Sequence, residues 1–156
     1  MKWRTFSGET INVPLLQKVE DTIKAETALG NKLKLCVGTD SRVAGDYIEY
    51  ATVIVFIREG RGGFMYVCNS KESGNMSLNQ RMITEVAKSI EVAYSLCDLL
   101  DRYRLSLEIH ADINTDPNFK SNSALKEAMG YILSMGFVFK AKPEAFASTY
   151  CADKAI

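Results

Sequence analysis

Hydrophobic positions along this chain recur with two periods, and the switches between them mark out its elements. Behind Pro14, the stretch Leu15–Ala28 carries Leu16, Val19 and Ile23 at spacings of three and four, with Gln17, Glu20, Asp21 and Lys24 on a polar face beside them. That is an amphipathic helix on a domain surface. Proline in the first turn and Gly30 just past the end fit its boundaries. Three β-like runs follow, Leu33–Val37, Tyr47–Ile57 and Phe64–Cys68, rich in β-branched and aromatic residues. The links Ser41–Asp46, with Gly45, and Glu59–Gly63, with three glycines, are short enough for hairpins. An antiparallel meander is expected. From about Ser77 to Arg102 a helical period returns through Ile83, Val86, Ile90, Ala93, Cys97 and Leu100. Leu105–Ile113 alternates like a strand. Ser123–Met135 reads as a helix ended by Gly136, Phe137–Ala141 as a strand stopped by Pro143, and Ala145–Lys154 as a last short helix.

The resulting order predicts an α/β fold with a five-stranded mixed sheet. Two helical crossovers after the meander place the fourth strand parallel to the first and the fifth beyond it, in the spatial order 3-2-1-4-5. An extra N-terminal helix, about 14–28, stands before the sheet. No internal repeat, linker or low-complexity tract divides the chain, so a single domain over 1–156 is expected.

Composition changes this picture little. Hydrophobic residues make up 47% and charged residues 24%, ordinary for a globular protein. No apolar run approaches the roughly 20 residues that span a bilayer, and no apolar stretch follows Lys2 and Arg4 to make a signal peptide. A cytoplasmic protein without membrane contact is expected. Cys36, Cys68, Cys97 and Cys151 stand far apart without a paired spacing, and read as small hydrophobes more than as zinc ligands or disulfides. Nineteen basic and nineteen acidic residues cancel. A nucleic-acid binder usually carries a basic surplus, so this neutrality leaves a protein partner in view.

Three acids carry the chemistry. Asp40 ends the first expected strand and Asp112 lies near the carboxyl end of the fourth, its predicted neighbour. Open α/β sheets bind ligands outside the carboxyl ends of strands where the order of growth reverses. Glu85, one turn from Met82 and Ser89, sits at the edge of the long helix's apolar stripe, within reach of that sheet end. Carboxylates gathered without compensation raise each other's pKa, and hard cations such as Mg2+ or Mn2+ relieve them through oxygen coordination. A fourth acid, Asp153, follows Phe146 and Tyr150 at helical spacing, on a helix whose Ala147, Ser148, Cys151 and Ala152 permit close packing.

Each acid also has an ordinary reading. Asp40 suits the start of a hairpin turn, Glu85 a solvated helix face, Asp153 a frayed terminus. His110, the single histidine, shares a strand face with Asp112. It suits a proton-transfer or substrate-contact role or a hydrogen-bonded place within the sheet. Asn114 either orients a metal-bound water or caps the loop after it. Asn79, Arg81, Lys120 and Lys142 surround the expected mouth, where basic side chains hold phosphates or form plain surface. Gly60, Gly62 and Gly63 precede a strand, the wrong context for a phosphate cradle.

Asp on the first strand, Glu on the long helix, Asp on the fourth strand and Asp on the last helix together resemble the ribonuclease H-like superfamily. Gly38-Thr39-Asp40-Ser41, Arg81-Met82 with Glu85, His110-Ala111-Asp112-Ile113-Asn114, Lys142-Pro143, Ala147-Ser148 and Ala152-Asp153 resemble the small bacterial YkuK-like family within it. The resemblance covers about 33–154. It implies metal ligation and catalysis by Asp40, Glu85, Asp112 and Asp153, with Mg2+ or Mn2+ as cofactor, and two-metal cleavage of phosphodiesters in RNA, DNA or a hybrid. The alternative is a non-catalytic module of this fold that binds a protein or nucleic-acid partner. Chemistry on a small nucleotide, as in the actin-like ATPases that share the fold, ranks last because the chain lacks glycine-rich phosphate loops.

Overall fold

A long hairpin organises the molecule. β2 (Leu33–Ala44) and β3 (Tyr47–Arg58), 12 residues each, pair antiparallel along their whole length. Gly45 and Asp46 form the two-residue turn between them. Gly45 holds φ at +63°, which a residue without Cβ adopts freely. Asp40, expected at the end of the first strand, therefore lies inside a longer one opposite Ala51, and the hairpin-turn reading fails for it. The computed structural model describes residues 1–114 and 122–156, and of 114, 122–125, 128 and 131 the backbone alone.

The meander continues into β4 (Gly63–Ser73), which pairs antiparallel with β3. After α2 (Leu78–Arg102), β5 (Ser106–Asn114) lies parallel to β2. After α3 (Asn122–Ser134), β6 (Val138–Lys142) lies parallel to β5. The expected five strands are corrected to six: β1 (Trp3–Thr5) pairs antiparallel with β4 at the outer edge, giving the order β1-β4-β3-β2-β5-β6. Three residues are too few for alternation to show, and burial of the Trp3 ring is what seats this strand.

Two unequal layers cover the sheet. One face packs under α1 (Leu15–Ala28) and α2 around Leu35, Val37, Ile54, Phe56, Val92, Leu96 and Ile109. On α1 the inward residues are Val19, Ile23 and Glu26, whereas Leu16, expected on that face, is 47% exposed. Arg58 reaches Glu26 with Nε at 2.6 Å and Nη2 at 3.2 Å and ties the helix to β3.

The other face carries a smaller cluster, Cys36, Val53, Val55, Val67, Ala147 and Ala152, beneath the C-terminal segment. That segment is not the expected α-helix. Residues Ala147–Ala152 form a π-helix, followed by the short α4 (Asp153–Ala155). Its wider turn breaks the expected Phe146–Tyr150–Asp153 stripe: Phe146 packs inward while Tyr150 is exposed. Among the described residues no helix is long and apolar enough to cross a membrane.

Candidate functional site

The parallel register of β2 and β5 sets the site. Gly38 stands opposite His110 at the end of their shared ladder. Two residues further along each strand, on the same face, come Asp40 and Asp112. This is the face covered by the π-helix. Gly38 makes the cover possible, because a Cβ there would fall 2.5 Å from the Ser148 nitrogen and 2.6 Å from the Ala147 carbonyl carbon. Helix and strand backbones thus meet almost directly, and Asp153 arrives within hydrogen-bond reach of Asp40.

Glu85 comes from the opposite layer. The buried stripe of α2 runs through Glu85, Val86, Ser89, Val92, Ala93, Leu96, Leu99 and Leu100. Glu85 therefore lies within the stripe, not at its edge, and is 4% exposed. The solvated-face reading fails for it. Two hydroxyl contacts explain how polar groups sit there. Ser41 Oγ donates to Glu85 Oε2 at 2.5 Å, and one helical turn on, Ser89 Oγ meets Thr39 Oγ1 at 2.7 Å, itself 3.0 Å from Thr52 Oγ1. The β2 repeat of two residues matches one turn of α2, so both pairs register together. Arg81, one turn before Glu85, clasps Ser41 through Nε and Nη2 to Oγ and through Nη2 to the carbonyl, at 3.1–3.2 Å.

The electrostatics are those of acids crowded without enough counter-charge. Burial, then the neighbouring Asp153 and Asp112, pushes Asp40 from 3.8 up to about 7, against the Ser41 backbone N–H that favours its charge. Burial raises Glu85 from 4.5 to about 8, helped by Asp40 and Asp112 and opposed by Ser41 and Arg81. Asp112 is better served. Lys142 Nζ lies 2.9 Å from its Oδ1, and Thr149 Oγ1 donates to the same oxygen at 3.1 Å. Asp40, from β2, thus meets Asp153 from the segment after the π-helix, while Asp112 of β5 and Glu85 of α2 act on it and on each other through space. Asn79 is the second residue of α2, two before Arg81. The Asn114 side chain and Lys120 lie outside the described residues.

His110 is placed differently from a substrate contact. It is 1% exposed and both ring nitrogens are engaged. The Ala147 backbone N–H donates to Nδ1 at 3.1 Å, and Nε2 lies 3.0 Å from Glu108 Oε1. Since a backbone N–H can only donate, Nδ1 carries no proton and Nε2 gives its own to Glu108. Burial lowers the pKa of the ring despite Glu108 beside it. Of the two readings of His110, the hydrogen-bonded place within the sheet is the one observed, and the substrate-contact reading is corrected to a neutral, buried imidazole.

Cys36 joins this group from β2, and one ligand atom each of Cys36, Glu108 and His110 lie within 4.8 Å of one another. It is the one such convergence among the described residues, and it is not the acidic quartet. Its chemistry does not suit a metal. With Nδ1 accepting from the Ala147 N–H, a protonated Nε2 has no lone pair to give. Separately, burial, then Glu108, holds the Cys36 thiol up at about 12. All four cysteines are free. Sequence reading missed Ser41, Thr149 and Glu108, whose roles depend on cross-layer pairing. The signal within reach was Gly38, two residues before Asp40, with a run of small residues to fit against it.

Comparison with known proteins identifies the family. The family model described as Ribonuclease H-like matches residues 15–156. A protein of Bacillus subtilis (strain 168), named uncharacterized protein YkuK, is 30% identical over a match covering 77% of each chain. The chain belongs to the ribonuclease H-like family.

Proposed function

We propose that the chain is a divalent-metal-dependent nuclease, cleaving phosphodiester bonds of RNA, DNA or a hybrid at Asp40, Glu85, Asp112 and Asp153. One observation carries the reading: burial and repulsion among Asp40, Glu85 and Asp112, with Asp153 against Asp40, push Asp40 to about 7 and Glu85 to about 8. Such a donor set, all oxygen and short of positive charge, fits Mg2+ or Mn2+. A bound pair of these ions supplies an activated water and stabilises the leaving oxygen.

The protein's own part is to aim the ligands. The Ser41 hydroxyl fixes the Glu85 carboxylate, Arg81 fixes Ser41, and Thr149 fixes Asp112. Arg81 and Lys142, at the rim of the acids, suit the phosphate backbone of a substrate strand. The test is a thermal-shift titration with Mg2+, Mn2+ and Ca2+ on wild type and Asp40→Asn, with cleavage assays on RNA, DNA and hybrid substrates. Asp40→Asn is expected to abolish cleavage and metal-induced stabilisation, while its own melting temperature stays level or rises. No metal-dependent cleavage on any of these substrates would sink the proposal.

One observation favours a second reading. The Lys142 ammonium already neutralises Asp112 at 2.9 Å, and the chain's charge sums to zero. A non-catalytic module that balances its acids internally and binds a protein or nucleic-acid partner fits this. It predicts no stabilisation by millimolar Mg2+ or Mn2+.

A further inference from the structure

We infer that His110 is a positioning residue, whose Nδ1 caps the π-helix and thereby holds Asp153 and Thr149 over the acids; this deepens the metal-site reading above. The first N–H groups of any helix lack an intrahelical acceptor and need one from outside. Here the N–H of Ala147, the first π-helical residue, finds Nδ1 of His110 at 3.1 Å. Glu108 holds the ring by its far nitrogen at 3.0 Å, and Lys34 stands 3.6 Å from the other oxygen of Glu108. Phe146 packs edge-on against the imidazole, ring centres 4.6 Å apart. Orientation and tautomer are therefore both set.

Besides its packing and the hold of Arg4 and Asn69 on the Ala155 carbonyl, the capped segment has two attachments to the candidate ligands. Thr149 donates to Asp112, and Asp153 meets Asp40. His110 itself lies on β5 two residues before Asp112. One strand thus presents an acid and, one pleat earlier, the acceptor that sets where the helix begins. A shift of that start displaces Thr149 and Asp153 together. Groups that orient metal ligands in this indirect way change affinity by about 10- to 100-fold when removed.

Two polar variants separate this role from simple core filling. His110→Asn places an amide where Nδ1 stood and keeps an acceptor for the Ala147 N–H. His110→Gln places its amide near Nε2, keeps a partner for Glu108, and loses the cap. Mn2+ affinity by calorimetry and amide hydrogen exchange across 147–153 are the readouts. The expected result is Mn2+ affinity within about threefold of wild type for His110→Asn. For His110→Gln it is a loss of about tenfold or more, with faster exchange at 147–153 and unchanged exchange in β3 and β4. Equal behaviour of the two variants, in either direction, overturns the inference. If wild type binds no Mn2+, the nuclease reading falls, and the exchange contrast between the two variants still decides the cap.

Discussion

At the scale of single residues, the acids make the protein's stability depend on pH in an unusual direction. Asp40 rises from 3.8 to about 7 and Glu85 from 4.5 to about 8 on folding. A carboxyl with its folded value raised binds more protons in the folded state. Its contribution is greatest below the unfolded value and is lost as pH climbs toward the folded one. Without divalent ions, the melting temperature should therefore fall between about pH 4 and about pH 8, and fall less in Asp40→Asn. Parallel curves for the two proteins would show that Asp40 is not the group responsible. Saturating Mn2+ should reverse the decline in wild type only. The period placed Asp40 and Asp112 on neighbouring parallel strands and Glu85 on the long helix. Asp40 nonetheless falls inside a longer strand than expected, and Glu85 within the buried stripe rather than at its edge. The partners of those acids were not legible from sequence. Ser41, Thr149 and Glu108 acquire their roles from distances across layers, and nothing in a hydroxyl's local pattern announces them.

At the scale of elements, two junctions decide whether the acids meet. The first is the start of α2, where Ser77 and Gln80 form a reciprocal capping box, Gln80 N–H to Ser77 Oγ at 3.1 Å and Ser77 N–H to Gln80 Oε1 at 3.0 Å. Ser77→Ala should cost about 1 kcal/mol of stability, read by urea denaturation. The cost should fall on the turn that carries Arg81 and Glu85. The second junction is the crossing of the π-helix over Gly38. Because the atoms within 3 Å of a built Cβ are all backbone, Gly38→Ala cannot be absorbed by a side-chain rotation. It should destabilise by about 1–3 kcal/mol and weaken Mn2+ binding in calorimetry; wild-type values for both would mean the helix shifts freely. The helix starts, the meander and the long α2 were readable from periodicity and turn residues. The π-helix was not, since six residues are too few to tell its wider turn from an α-helical one, and β1 escaped for the same reason of length.

At the scale of the whole molecule, neutrality limits how any nucleic acid is held. Among the described residues, Arg81 and Lys142 stand beside the acids, and Arg42 on β2 and Lys71 on β4 are both paired with Glu49. Each phosphate neutralised adds about −0.9 to the slope of log affinity against log salt on duplex DNA. Binding to a nucleic acid, measured by fluorescence anisotropy, should therefore show a slope no steeper than about −4; a much steeper one would point to a basic surface elsewhere. The shared level of Gly38 and His110 has a further consequence, for how such a chain tolerates change over generations. Substitutions between Ser106 and Asp112 alter what fills the layers, but a one-residue insertion or deletion there turns Asp112 to the opposite face. The ladder would go on pairing and the sheet would survive, with its acids dispersed. Length along two strands is thus the heritable quantity that keeps this site in being.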